Sequence, residues 1–124
     1  MAKWQNDLIL DAALDYIKNN VTQEAVCSSQ PTTYTQATVT FKLALKTGLT
    51  TGSFTGPSDG DTSGRKLRVN EQASVTVDAS GDATHIALCS GTELLYVTTC
   101  TTQTLTSGNT CTVPVWDIEL ADAV

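Results

Sequence analysis

The sequence predicts a mainly β fold, an antiparallel β-sandwich or small barrel with one N-terminal α-helix. Three observations favour it. After Val21 the spacing of apolar residues changes from about 3.6, the helical repeat, to two, the strand repeat. Short alternating segments then recur at intervals of about 8–12 residues, separated by glycine and serine turns. The chain also holds 22 threonines among its 124 residues, and this β-branched residue favours strands. This length predicts a single domain, residues 1–124.

The helix is predicted over about residues 7–19. Its apolar residues cover a wide arc, and its charged residues share the remaining face. Asn6 is a suitable N-cap, and Lys18 lies near the negative end of the helix dipole. Because the apolar arc is so wide, we expect the helix to be covered on more than one side, by the sheet, by a neighbouring subunit, or by both.

The β region is predicted over about residues 24–120. Its expected strands are 24–28, 38–45, 67–70, 74–78, 84–89, 94–100, 103–105 and 110–120. Segments 84–89 and 94–100 give the strongest hairpin signal, with Ile86 facing Val97 and Leu88 facing Leu95. Both faces of this hairpin are apolar, so we expect it in the centre of a sheet. Pro114 cannot donate a backbone hydrogen bond, which predicts an edge or a bulge.

Residues 47–64 form a long connection without periodicity, in which a glycine recurs at every fourth position from Gly48 to Gly64. Long loops in small domains are usually functional or mobile. Phe54, in this segment, is an unusual residue to leave in water. Two interpretations remain, a mobile surface loop or a loop ordered against a partner subunit, and we expect the second.

The sequence predicts no catalytic, cofactor-binding or metal-binding residue, and therefore a non-enzymatic protein. The glycine-rich segment lacks the spacing of a phosphate-binding loop, and Asp59-Gly60-Asp61 lacks the distant glutamate of a calcium loop. His85, the one histidine, falls on a predicted strand, where a core or interface role is expected. A pair of acidic residues could still converge for glycoside chemistry, but the sequence singles out none.

The four cysteines, Cys27, Cys89, Cys100 and Cys111, contain no C-x-x-C pair, which disfavours a zinc site. The N-terminus lacks the uninterrupted apolar core of a secretory signal, so we expect synthesis in a reducing cytoplasm and cysteines that act as small apolar residues. A disulfide formed later, under oxidising conditions, remains open. No apolar run approaches the length of a membrane span, so no membrane partner is expected.

Charge is distributed unevenly around a net value of −6. The chain through Arg68 is nearly neutral, whereas the remainder carries seven acidic residues and no basic one. Such a chain is not expected to bind nucleic acid through its own field. The basic cluster Arg65, Lys66 and Arg68 has two interpretations. It is either a solvated strand edge protected by charge, or a contact for the acidic C-terminal surface of a neighbouring copy.

We predict that the contact residues are tryptophans, an aromatic residue among glycines, and the basic cluster, since Trp and Arg are common interface anchors. They are Trp4, Phe54, Arg65, Lys66, Arg68 and Trp116.

Several segments together resemble a family of small virion structural proteins of tailed bacteriophages and prophages. They are LDAALDYIKNN, CSSQPTTY, TGPSDGDTSGRKL, ATHIAL, LLYVTTC and VPVWDIEL, and they extend over nearly the whole chain. The resemblance implies a structural component of the particle, made in the host bacterial cytoplasm and located in the virion. It assigns no residue a role.

Two virion roles follow from that resemblance. A capsid decoration (cement) protein would clamp the major capsid protein, usually as a trimer. A tail, head–tail connector or fibre-associated subunit would contact neighbouring tail or connector proteins and form a ring. We expect decoration, and an enzyme or a host-directed small protein is the remaining alternative. No cofactor is expected in either virion role.

Overall fold

The structure is a computed structural model that describes residues 5–61 and 63–121. The predicted fold class is confirmed, because the chain is mainly β, with antiparallel sheets and one N-terminal α-helix. The elements are α1 (Asp7–Asn20), β1 (Gln23–Cys27), β2 (Lys42–Thr47), β3 (Phe54–Asp59), β4 (Arg65–Val69), β5 (Gln72–Thr76), β6 (Gly81–Cys89), β7 (Leu94–Leu105), β8 (Thr110–Val113) and β9 (Trp116–Leu120).

The strands form three antiparallel sheets, in the orders β2-β1-β6-β7, β3-β4-β9 and β5-β8. The first and third sheets are joined by a bridge between Ala44 and Val77, and by a hydrogen bond from Asp78 N to Leu43 O at 2.7 Å. They therefore make one curved layer in the order β8-β5-β2-β1-β6-β7. The two ends of this layer, β7 and β8, are not paired with each other among the described residues.

Helix α1 has the bounds that its sequence predicts, within one residue. The Asn6 side chain accepts a hydrogen bond from Leu8 N at 2.9 Å, as expected of an N-cap. Leu10 and Leu14 are buried, and the helix packs against β3 and β4. Within the described residues the helix is covered on this one side only, so the expectation of cover on a second side is not met by the chain itself.

The strand predicted over 38–45 is wrong in its first half, because Gln36–Thr40 form a π-helical turn. Local hydrogen bonds favour the turn: Gln36 Oε1 accepts from Thr32 N at 2.8 Å, and Thr38 Oγ1 donates to Tyr34 O at 2.8 Å. Threonine and glutamine side chains that satisfy nearby backbone groups in this way compete with strand formation. Strand β2 begins only at Lys42.

The long connection predicted over 47–64 is also wrong, because it contains a 3₁₀ turn (Thr51–Ser53) and the whole of β3. The turn closes with a hydrogen bond from Thr50 N to Ser53 Oγ at 3.1 Å. Strand β3 pairs with β4, and its register is interrupted between Thr55 and Ser58. Phe54 is therefore ordered by its own chain and not by a partner subunit.

One glycine of this segment, Gly64, is required by close packing. Its φ is +72°, and a Cβ added there would lie 1.8 Å from the carbonyl oxygen of Leu120, at the end of β9. Any side chain at this position would collide with the backbone of β9.

The hairpin predicted from 84–89 and 94–100 is confirmed as β6 and β7, but its predicted register is wrong. Ala87 pairs with Val97 and Leu88 pairs with Tyr96, because a register shift lies between Leu88 and Cys89. Strand β6 is central, as expected, whereas β7 is an edge strand. Strand β7 also continues through the segment predicted as a separate strand, 103–105.

The predicted strand 110–120 is divided at Pro114 and Val115, between β8 and β9, which belong to different sheets. Proline thus lies where the chain leaves one ladder for another, in agreement with its inability to donate.

Phe54→Ala is expected to lower the free energy of unfolding by about 3–5 kcal/mol, because it removes a buried aromatic side chain and leaves a cavity. Phe54 is 5% exposed and packs with Leu67, Val69 and Ile118. Urea unfolding followed by circular dichroism measures the change. Val39→Ala is the control, since Val39 is 68% exposed and its loss should change stability by less than about 0.5 kcal/mol. Equal midpoints for Phe54→Ala and the wild type would contradict this packing.

Candidate interaction surfaces

The β3-β4-β9 sheet separates apolar and charged residues by simple alternation along β4. Leu67 and Val69 point inward and are fully buried, whereas Lys66 and Arg68 lie on the opposite face. Arg65 has the same strand parity as Leu67 and therefore lies on the inner face. It is the first residue of β4, and its side chain contacts Asp11 of helix α1. The basic cluster is thus divided between two faces.

Arg65 ties α1 to the sheet. Its Nε donates to Asp11 Oδ1 at 2.8 Å, and its Nη1 donates to Asp59 Oδ1 at 2.6 Å. The hydrogen bond with Asp11 raises the pKa of Arg65, and the Arg65 side chain is 18% exposed. One guanidinium therefore connects three elements, α1, β3 and β4.

Lys66 and Arg68 pair with carboxylates on the other face of the sheet. Lys66 Nζ lies 2.7 Å from Asp61 Oδ1, and Arg68 Nε lies 2.9 Å from Asp117 Oδ1. Arg68 lowers the pKa of Asp117. The interpretation of this cluster as a solvated strand edge is wrong, because β4 lies between β3 and β9 and the chain supplies counter-ions to these bases. A further contact between them and another copy stays a prediction.

Trp116 belongs to a small buried polar site between sheets. Its ring stacks on Tyr96, with centroids 5.9 Å apart, and its Nε1 donates to Glu24 Oε2 at 3.2 Å. Glu24 is 1% exposed, and its Oε1 has no hydrogen-bond partner among the described residues. Burial raises the pKa of Glu24 to about 7, although the Trp116 hydrogen bond opposes this.

Glu24 is not among the residues predicted from the sequence, although the sequence carries a signal for it. In the alternation of β1, Glu24 has the same parity as Val26, which faces the core. Its cross-strand neighbours are Lys46 on β2 and Leu88 on β6. Lys46 forms no ion pair with it among the described residues, so Trp116 is the partner that holds this carboxyl group.

An uncharged apolar surface covers the outer side of α1. Leu8, Ile9 and Tyr16 are 71%, 64% and 56% exposed, and Ala12 and Ala13 are also exposed. At 100° per residue these five residues occupy an arc of roughly 140°, and the acidic residues of the helix lie outside it. We call these five residues the α1 outer face.

The predicted contact residues do not form one exposed patch. Phe54 is buried, contrary to the expectation of an exposed anchor. It pairs with Val69 of β4, which in turn pairs with Trp116 of β9. Trp116 is half-buried by its contacts with Tyr96 and Glu24. Trp4 lies outside the described residues. The α1 outer face, by contrast, was visible in the sequence only as the width of the apolar arc.

The cysteines are all free, with Cys27 and Cys89 buried and Cys100 and Cys111 half-buried. Burial raises the pKa of the Cys27 thiol to about 12 and that of Cys89 to about 11. They pack as small apolar side chains on both faces of the curved layer.

The chain matches no protein-family model, no curated protein and no solved structure. Within residues 5–61 and 63–121, no three His, Cys, Asp or Glu side chains converge where a metal ion could be held. In the same part of the chain, no helix combines the length and apolarity needed to cross a membrane.

Glu24→Gln is expected to remove a pH dependence from the stability of the fold. Between pH 4.5 and about 7 the unfolded chain ionises Glu24 while the folded chain keeps it protonated. The folded state then binds more protons, so stability falls as pH rises through this window, by about 3 kcal/mol in total. Glutamine keeps an oxygen for Trp116 and cannot ionise, so the variant should lack this fall and be more stable than the wild type at pH 8.

Urea unfolding of both proteins at a series of pH values measures the difference. Glu71→Gln, which changes an exposed glutamate, is the matched control and should follow the wild type. Parallel stability curves for the wild type and Glu24→Gln would contradict a buried carboxyl group at this position.

Proposed function

We propose that this chain is a non-enzymatic structural protein of a bacteriophage virion, and in particular a capsid decoration protein that stabilises the head through contacts between subunits. The observation that carries the proposal is the α1 outer face. A second support is the resemblance of the sequence segments to small virion proteins of tailed phages.

The α1 outer face favours a role in protein contact on energetic grounds. Burying a large apolar side chain contributes about 1.5–3 kcal/mol, and three such residues, Leu8, Ile9 and Tyr16, are left in water. They are contiguous and uncharged on a chain of net charge −6, and they sit on a helix that is anchored to the sheet through Leu14 and Arg65. A rigid apolar surface of this kind is typical of an interface.

The charge pattern agrees with contact between proteins. Because the bases of β4 are already paired within the chain, the remaining surface charge is mainly acidic. Such a surface favours partners other than a phosphate backbone. In the decoration role, the α1 outer face would lie against the major capsid protein or against another copy in a trimer.

The alternative is a tail, head–tail connector or fibre-associated subunit. The same face of α1 would then lie between adjacent copies around a ring. The α1 outer face fits both roles, since either buries it.

Copy number distinguishes the two roles. Virions of the phage or prophage that encodes the chain are purified, and this protein is quantified against the major capsid protein by mass spectrometry. Decoration requires copies in proportion to the capsid subunits, in the hundreds. A number that suits one or a few rings would favour the tail or connector role. Absence from purified virions would contradict both.

The double variant Leu8→Ser with Ile9→Ser is expected to fold as the wild type does but to be incorporated poorly into virions. Both residues are exposed, so the unfolding midpoint should change little, whereas incorporation into virions should fall at least tenfold. Val39→Ser is the control, because Val39 is equally exposed but lies on the π-helical turn, outside α1. Normal incorporation of the double variant would exclude the α1 outer face as the contact surface.

A further inference from the structure

A cleft separates β7 from β8, at the place where the curved layer fails to close. These strands are consecutive in the chain, and the turn at residues 106–109 joins them. They diverge from this turn, because β7 pairs only with β6 and β8 pairs only with β5 among the described residues. Within the part of the chain that the structure describes, each strand therefore presents an unpaired row of backbone donors and acceptors along the cleft.

The floor of the cleft is the apolar core itself. The cavity has a volume of about 180 Å³, and Val26, Ile86 and Val113 line it from three different strands. These side chains are only 4–6% exposed and belong to one core cluster, so the floor of the cavity is part of the core. None of the residues that line the cavity is charged.

A bulge in β7 borders the cleft. Ala83 pairs with Gln103 and His85 pairs with Thr99, so β7 places three residues, 100–102, opposite Thr84 alone. Cys100 and Thr101 of the bulge line the cavity, and Cys111 of β8 lines it from the other side. Beyond Leu105, a second cavity of about 440 Å³ continues toward the turn and is lined mainly by uncharged polar residues, four of which are threonines.

We propose that the cleft between β7 and β8 is a binding site for an extended, uncharged segment of a different protein, which inserts as a strand and closes the curved layer. The uncharged lining and the two unpaired strands favour an extended peptide strand over other ligands. An apolar small molecule would cover the floor but leave both backbone rows unpaired. A strand pairs with both rows and places alternate side chains on the floor.

The described part of the chain also argues against a second copy as the donor. Each of its strands is already hydrogen-bonded into a sheet, so inserting one into a neighbour would require breaking an existing ladder. The site does not depend on the proposed virion role, since it is defined by backbone pairing and not by the α1 outer face.

The test uses the full chain and a short synthetic peptide of alternating threonine and valine, with lysines at its C-terminus for solubility. Hydrogen exchange followed by mass spectrometry reports on the amides of β7 and β8. The expected result is slower exchange in both strands when the peptide is added. A second peptide, N-methylated at its valines, has similar side chains but lacks those backbone donors, and it should give little protection.

Protection of neither strand, of one strand only, or equal protection by the N-methylated peptide would overturn the proposal. The last result would assign the cavity to apolar ligands in general. Self-association of the protein that is lost on altering the cleft would assign it to a second copy, and would also overturn the proposal.

Thr101→Lys provides an independent test with a matched control. Thr101 is exposed on the bulge, and lysine is a residue that natural edge strands use to prevent pairing. The variant should keep the unfolding midpoint of the wild type and bind the peptide at least tenfold more weakly. Thr92→Lys adds the same charge in the exposed β6–β7 loop and should bind as the wild type does. Equal affinity of the two variants would contradict insertion at the cleft.

Discussion

The alternation along β4 is the constraint on which the rest of this structure depends. Leu67 and Val69 point into the core, where they meet Leu14 of α1, Phe54 of β3 and Ile118 of β9. Lys66 and Arg68, which alternate with them, are held on the opposite face by Asp61 and Asp117. One five-residue strand therefore fixes the positions of the helix and of both neighbouring strands, and a shift of its register by one residue would exchange the two faces.

The parts of the fold that sequence predicts well are those in which local pattern and burial agree. Helix α1 combines a helical apolar period with an N-cap, and β6 ends in four consecutive apolar residues, 86–89, that are all buried. Prediction fails where tertiary contacts override the local pattern. Glycines suggested a loop over 47–64, yet the core requires Phe54 and β4 requires a partner strand. The turn at Gln36–Thr40 depends on side-chain hydrogen bonds that a two-residue period does not reveal.

The candidate surfaces were less predictable, for a physical reason. Residue type suggested Phe54 and the basic cluster as contacts, but whether a phenylalanine or an arginine is free depends on what else the chain brings near it. Here Asp11 and Asp117 neutralise Arg65 and Arg68 from distant parts of the sequence, and Asp59 adds a carboxylate from the adjacent strand. Glu24 shows the converse, since its carboxyl group lies on the core side of a strand and its hydrogen-bond donor, Trp116, lies 92 positions away.

The tight approach of Gly64 to Leu120 has an evolutionary consequence. The carbonyl of Leu120 occupies the space of any side chain at residue 64, so this position is closed to substitution unless β9 moves away from β4. Such a movement would also separate Arg68 from Asp117 and expose Ile118. Among natural variants of this chain, glycine at residue 64 should therefore persist even where the neighbouring serine and threonine positions drift freely.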